Sequence, residues 1–341
     1  MQRLDKNNIK NNNMKKILLS IIALCCTLVA GAQNEIMTVV LQHGNDVSTF
    51  TGANAFINAN AQAVDGDVIT LSAGAFNVSD ITKSISVYGA GFEKDANTST
   101  EVSKINGQLN LGVSGGETFA NIHLEGISFG AAVNANVPLE GFFMEKCYVN
   151  GNVNVGENSN TMIRNCVITG AIAGGDKMAN NCIIQNCYVG GAINTFNVSS
   201  SVKIDHCITC NFVGPYFCTN SIFTYYWVGA YYDRAAFANT EGAVVHNCIF
   251  RNFDYNNQDK NDFQNCFAVD IKSIFSDAQN ATYSAARTFE IQQPATWIGN
   301  DGQEIGIRYG WSKVPKIPAV KNLTTTVSGE NLEVDYDTVV R

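Results

Sequence analysis

The sequence predicts an all-β protein: a right-handed parallel β-helix of about ten rungs, with a short N-terminal capping helix and a C-terminal two-strand tail. Three observations predict it. Short apolar segments punctuated by Asn recur about every 20 residues. The segments are rich in β-branched and aromatic residues and bounded by Gly and Asn, which favours strands. A single column of like residues runs through them.

The chain has 341 residues, of which 45% are hydrophobic and 15% charged, so a packed interior is expected and general disorder is excluded. Residues 1–32 read as a secretory signal peptide with an N-terminal extension. Lys15 and Lys16 precede the apolar stretch from Ile17 to Gly31, and Ala30 and Ala32 form a small-residue cleavage site. Met1 to Asn13 reads either as a polar extension or as the result of a start codon upstream of Met14. The apolar stretch is short for a membrane span, so a mature protein without one is expected, secreted or held at the cell surface. Cleavage after Ala32 lowers the formal charge of −8 by four, to −12. An acidic chain without a run of Lys or Arg is not suited to nucleic acid.

Residues 33–66 are read as the N-terminal cap. Phe56, Ile57, Ala63 and Val64 are predicted to form one face of a short helix that ends near Gly66 and plugs the first rung. An open solenoid end needs such a plug to hide interior apolar surface and blunt a strand edge.

Residues 67–313 carry the repeat. The segments KSISVYGAG, SKINGQLNLG, LEGISFG, MEKCYVNG, IRNCVITG, IQNCYVGG, KIDHCITC, VHNCIF and FQNCFAV align on Ile85, Ile105, Ile127, Cys147, Cys166, Cys187, Cys207, Cys248 and Cys266. The gaps are 18 to 22 residues except for 41 between Cys207 and Cys248, where one poorly matching rung or a rung plus a loop is expected. The period is too short for paired helices, there is no dense leucine framework, and no six-residue sub-repeat is visible. One coil per repeat remains, each rung about 4.8 Å from the next. The residue before the column is Asn165, Asn186, Asn247 and Asn265, with Lys146 and His206 as exceptions. Asn tolerates the left-handed backbone of a tight bend, and stacked amides bond along a column.

These rungs resemble the pectate-lyase-like right-handed β-helix superfamily, whose asparagine ladder sits at such a turn. The resemblance covers Val68 to Ile307, and NDGQEIGIRYG looks like the final Gly-rich turn of bacterial members. After it, residues 314–341 read as a linker and β tail, with AVKNLTTTV and NLEVDYD as the two strands.

Nine cysteines remain after cleavage. In-register parallel side chains keep neighbouring β-carbons too far apart for unstrained disulfides, so buried reduced filling is expected. One column does not surround a metal ion, and Cys207 and Cys210 form an isolated CxxC, so no metal site is assigned.

The resemblance implies polysaccharide bound in a groove along a sheet face. Lyases of this kind use carboxylates to hold Ca²⁺ and an Arg or Lys as base. The segment with Asp205, His206 and Cys207 looks like the family's short Asp-His rung, but the acidic calcium cluster and Arg-Pro motif are absent. The paired carboxylates and Gly-His-Gly segment of polygalacturonase-like hydrolases are absent too. No catalytic residue and no cofactor is therefore assigned, Ca²⁺ being required only by the lyase alternative. His43, His123 and His246 read as structural or solvent-facing.

The substrate-binding candidate is Tyr225, Tyr226, Trp227, Tyr231, Tyr232, Asp233 and Arg234, because flat rings with polar tips suit sugar stacking. A polar loop with Arg251, Asp254, Asp259, Lys260 and Asp262 is a second place for a cation or a base. The expected protein is a monomeric, exported, non-catalytic module that binds glycan, adheres or serves structurally. The alternative is a lyase or glycoside hydrolase acting on acidic polysaccharide.

Overall fold

The computed structural model describes residues 37–93, 101–197, 199–210, 214, 216–224, 241–251, 260–269, 273–275, 283, 289, 291–307, 318–328 and 331–340. The predicted signal peptide lies outside them. Among the described residues, no helix is long and apolar enough to cross a membrane.

A parallel β-solenoid of about eight turns forms the body. Its strands stack into three sheets. Sheet A has 14 strands, sheet B has ten and sheet C has five. At the N-terminal end the hairpin β1 (Thr38–His43) and β2 (Asp46–Thr51) pairs antiparallel with β3 (Val68–Leu71), the first strand of the parallel stack. Helix α1 (Ala55–Gln62) plugs this end as expected, but its inward face differs in part. Ala55, Phe56, Ala59 and Ala63 are buried, whereas Ile57 is half-buried and Val64 is 46% exposed. The helix stops at Gln62, so Val64 falls in extended chain and no longer shares the helical face.

In each strand of sheet A alternate residues point inward, as the two-residue period of a strand requires. Val87, Leu124, Met144, Ile163, Ile184, Ile204, Cys218 and Val245 are in register from turn to turn and all fully buried. The cysteine column stands beside them at the start of sheet B. Pairing of Tyr148 with Val167, Val167 with Tyr188, and Tyr188 with Ile208 puts Cys147, Cys166, Cys187 and Cys207 level. All four are fully buried, and all nine cysteines of the described chain are free thiols.

Two members of the expected column belong elsewhere. Ile85 precedes the strand Ser86–Tyr88 and is level with Ile122, since Ser86 pairs with His123. Ile105 pairs with Phe129, which leaves Ser103 beside Ile127. Both isoleucines are buried, so apolarity did not reveal which column they fill. The rung inside the 41-residue gap is Phe217–Thr219 with Ile222–Phe223, and there Ser221 stands in the cysteine column between Cys207 and Cys248.

Cysteine is more than filler in this column. Each thiol donates to the carbonyl two residues back: Cys166 Sγ to Arg164 O at 3.1 Å, Cys187 Sγ to Gln185 O at 3.2 Å, Cys207 Sγ to Asp205 O at 3.3 Å. Ser221 Oγ makes the same bond to Thr219 O at 2.8 Å. Burial pushes the thiols of Cys147, Cys166, Cys187 and Cys248 well up from their ordinary value.

The turn between sheets A and B is the predicted ladder. Lys146, Asn165, Asn186, His206, Asn220, Asn247 and Asn265 all have φ between 49 and 54°. Asn186 Nδ2 donates to Asn165 Oδ1 at 2.6 Å, and Asn265 Nδ2 to Asn247 Oδ1 at 3.2 Å. Two further amide columns were not anticipated. Asn154 donates to Asn134 (2.5 Å) and Asn134 to Asn110 (3.5 Å) on sheet C, and Asn181 donates to Asn160 (3.0 Å) within sheet A.

The last parallel strands are Asp262–Gln264 and Phe267–Val269. Among the described residues that follow, 273–275, 289 and 291–307 supply side chains that pack on the outer face of sheet B, and none adds a further parallel strand. Phe275, Phe289, Ile291 and Ile305 cover Tyr188, Ile208, Ile222 and Ile249. Pro318–Ser328 and Asn331–Val340 form the antiparallel C-terminal hairpin.

Candidate functional site

The three outer faces differ in chemistry. Sheet B is covered by Phe275, Phe289, Ile291 and Ile305, and sheet C shows small polar side chains centred on its Asn column. The outer face of sheet A carries aromatic, charged and histidine side chains. Two outward columns build it. One runs Ser86, His123, Phe143, Met162, Ile183, Lys203, Phe217, Val244 and Asp262. The other runs Tyr88, Glu125, Glu145, Arg164, Gln185, Asp205, Thr219, His246 and Gln264.

The first column is an apolar strip with exposed rings. Phe143 and Phe217 are each 41% exposed, although a phenyl ring gains from burial, while Met162 and Ile183 between them are half-buried. Each ring has a histidine neighbour, His123 at 6.1 Å from Phe143 and His246 at 6.3 Å from Phe217. Tyr88 stands edge-on to His123 at 5.1 Å.

Beside Phe143 lies an ionic cluster. Lys146 Nζ is 3.0 Å from Glu125 and 3.5 Å from Glu145, and Arg164 donates to Glu145 at 2.6 Å. His123 Nε2 is 3.4 Å from Glu125 Oε2. The His123 ring and the Lys146 ammonium hold the Glu125 carboxyl at about 2, against the burial that opposes its ionisation. Lys146 takes a left-handed conformation that costs a non-glycine residue about 1 kcal/mol or more. The ion pairs it makes there explain why lysine replaces asparagine in the ladder.

The ligand atoms of His123, Glu125 and Glu145 lie within 4.8 Å of one another, close enough to hold a metal ion. The Lys146 ammonium already sits where such a cation would bind, and Arg164 engages the second carboxylate. The donor set therefore fits an internally neutralised cluster better than a metal centre. With Glu125 held ionised it is also a poor general acid.

At the other end, His246 Nε2 pairs with Asp262 Oδ2 at 3.0 Å. Hydrogen bonds from Gln264 and His246 hold the Asp262 carboxyl below the usual range. Lys260 pairs with Glu241, so Lys260 and Asp262 of the predicted polar loop have separate partners, while Arg251 belongs to the strand Ile249–Arg251. Asp254 and Asp259 lie outside the described residues.

The predicted binding residues Tyr225, Tyr226, Trp227, Tyr231, Tyr232, Asp233 and Arg234 also lie outside the described residues. His206 sits in the turn ladder as expected, whereas Asp205 just before it ends the strand Val202–Asp205 in the second column of sheet A. Asp205 is buried and accepts from Thr219 Oγ1 (2.8 Å), Asn220 Nδ2 (3.1 Å) and Gln185 Nε2 (3.0 Å).

Sequence reasoning missed the pairing of His123 with Phe143 and of His246 with Phe217. The alternation in NIHLEG and AVVHNC places both histidines outward, and register then brings them to the phenylalanines of adjacent rungs. No protein-family model matches the chain, and neither a curated protein nor a solved structure matches it.

Proposed function

We propose that this chain is an exported β-helix protein of the pectate-lyase-like type that binds glycan on the outer face of sheet A without transforming it. The observation that carries the reading is the exposure of Phe143 and Phe217 in one outward column, bordered by histidine, carboxylate and guanidinium groups. Rings held open beside hydrogen-bonding side chains suit the apolar faces and hydroxyl rims of sugars. The asparagine ladder and the rung spacing support the family resemblance, and the apolar stretch after Lys15 and Lys16 supports export. The neutralised state of the Glu125 and Glu145 pair favours binding over hydrolysis or elimination.

The test is a glycan array probed with the chain from Gln33 onward and with the F143A/F217A double variant. Specific retention of the wild type and its loss in the folded double variant is the expected result. Failure of the folded wild type to retain any glycan overturns the reading.

A further inference from the structure

We infer that the ligand is an extended, uncharged glycan lying parallel to the solenoid axis and held at two points, Phe143 and Phe217. The inference rests on the glycan-binding reading of sheet A and specifies its ligand. Register places the two rings in the same column: Phe143 pairs with Met162, Met162 with Ile183, Ile183 with Lys203, and Lys203 with Phe217. Four rung steps of about 4.8 Å put them roughly 19 Å apart along the axis. A sugar unit in an extended glycan is about as long as one rung is tall, so a chain touching both rings spans about five units.

A histidine and a carboxylate stand near each end of the strip. Beyond Phe143 the column continues with His123, beside Glu125, and beyond Phe217 with Val244 and Asp262, the latter paired to His246 of the adjoining column. Between the rings Met162 and Ile183 form a low, half-buried floor, and the exposed Lys203 stands beside Phe217. A ribbon-like chain can therefore lie along the strip with its hydroxyls toward Arg164 and Gln185 in the adjoining column.

Charge selects against acidic chains. Glu125 and Glu145 are satisfied by Lys146 and Arg164, Asp205 by hydrogen bonds, and Asp262 by His246. Lys203 is the one cation within the strip itself, and against a whole-chain charge of −8 it leaves little net positive field to attract a polyanion. A neutral chain meets no such repulsion.

The test is calorimetric titration with unbranched neutral oligosaccharides, the cello- and xylo- series from disaccharide to octasaccharide, with polygalacturonate as the acidic comparison. Affinity is expected to rise with length and level off near the pentasaccharide. F143A and F217A, each checked for an unchanged melting curve, are each expected to lower octasaccharide affinity about tenfold while changing disaccharide affinity much less. F143Y is expected to restore it. A disaccharide that binds as tightly as the octasaccharide overturns two-point attachment and leaves the glycan reading standing. Preference for polygalacturonate overturns the uncharged class. If no member binds and the array is also empty, the underlying reading falls with the inference.

Discussion

His206 Nε2 lies 3.1 Å from Asp301 Oδ2, a contact between residues 95 apart in the chain. The His206 ring is fully buried, and its Nδ1 donates to the Gly306 carbonyl at 2.9 Å. One rung on, Asn220 exchanges bonds with Asn300: Nδ2 to Oδ1 at 2.9 Å, and Asn300 N to Asn220 Oδ1 at 3.0 Å. The segment that covers sheet B is thus fastened to the turn ladder at two successive rungs, one of them the rung where histidine replaces asparagine.

Loosening that fastening is expected to show locally. Asp301→Asn removes the charge and costs about 1 kcal/mol, because Asp301 is partly solvated. Hydrogen exchange should quicken at the 299–306 amides and stay unchanged in sheet A strands. Uniform exchange across both regions would contradict the role of His206 as a fastening point.

Glu125 makes stability depend on acid. Its folded value, lowered from 4.5 to about 2, adds stability that is fully present above the ordinary carboxylate range and is lost as pH falls from about 4.5 toward 2. After allowance for partial exposure the effect is about 1 to 2 kcal/mol. Melting of wild type and E125Q at pH 7 and pH 3 checks it: the wild type should be the more stable at pH 7, and the gap should narrow to less than half at pH 3.

Thiol labelling should divide the cysteines. Cys210 and Cys266 are partly exposed, and burial pushes their thiols up to about 11 and about 12 respectively. Slow alkylation of these two at neutral pH, faster as pH rises, is expected from a native sample read by mass spectrometry. The remaining seven should label only on unfolding. Early labelling of Cys187 would show that the column opens.

Asn186 tests the ladder. Asn186→Gly keeps the left-handed backbone and loses the amide bond to Asn165, at a cost of about 1 kcal/mol. Asn186→Ala loses the bond and strains the turn at φ 53°, at about 2 kcal/mol or more. Urea denaturation of both variants measures the difference, and equal midpoints would remove the left-handed turn as the reason for asparagine.

Much of the solenoid was legible because stacking forces equivalent residues into columns. Cys147, Cys166, Cys187 and Cys207 share a side chain, and Cys166 and Cys187 also a preceding Asn, so their register could be read directly. Ile85 and Ile105 had neither mark, and any buried β-branched residue satisfies an interior column. Lys146 and His206 were visible as exceptions, but their partners Glu125 and Asp301 come from other rungs or from a segment far along the chain. Neither sequence spacing nor periodicity encodes such contacts. The face with Phe143 and Phe217 was hidden likewise, since four rungs separate rings that register alone places in line.

The amide columns run with a common polarity. In each, the later asparagine donates to the earlier one, so every N–H points toward the N-terminal end of the coil and every oxygen toward the other. Two columns end at that N-terminal side on a carboxylate: Asn165 donates to Glu145 at 3.4 Å, and Asn110 donates to Asp80 at 3.0 Å. Aligned dipoles terminated by an anion at their positive end polarise one another, much as an acidic residue completes the first turn of a helix. Glu145 therefore serves two structures at once, closing an amide stack on one side and anchoring Lys146 and Arg164 on the other.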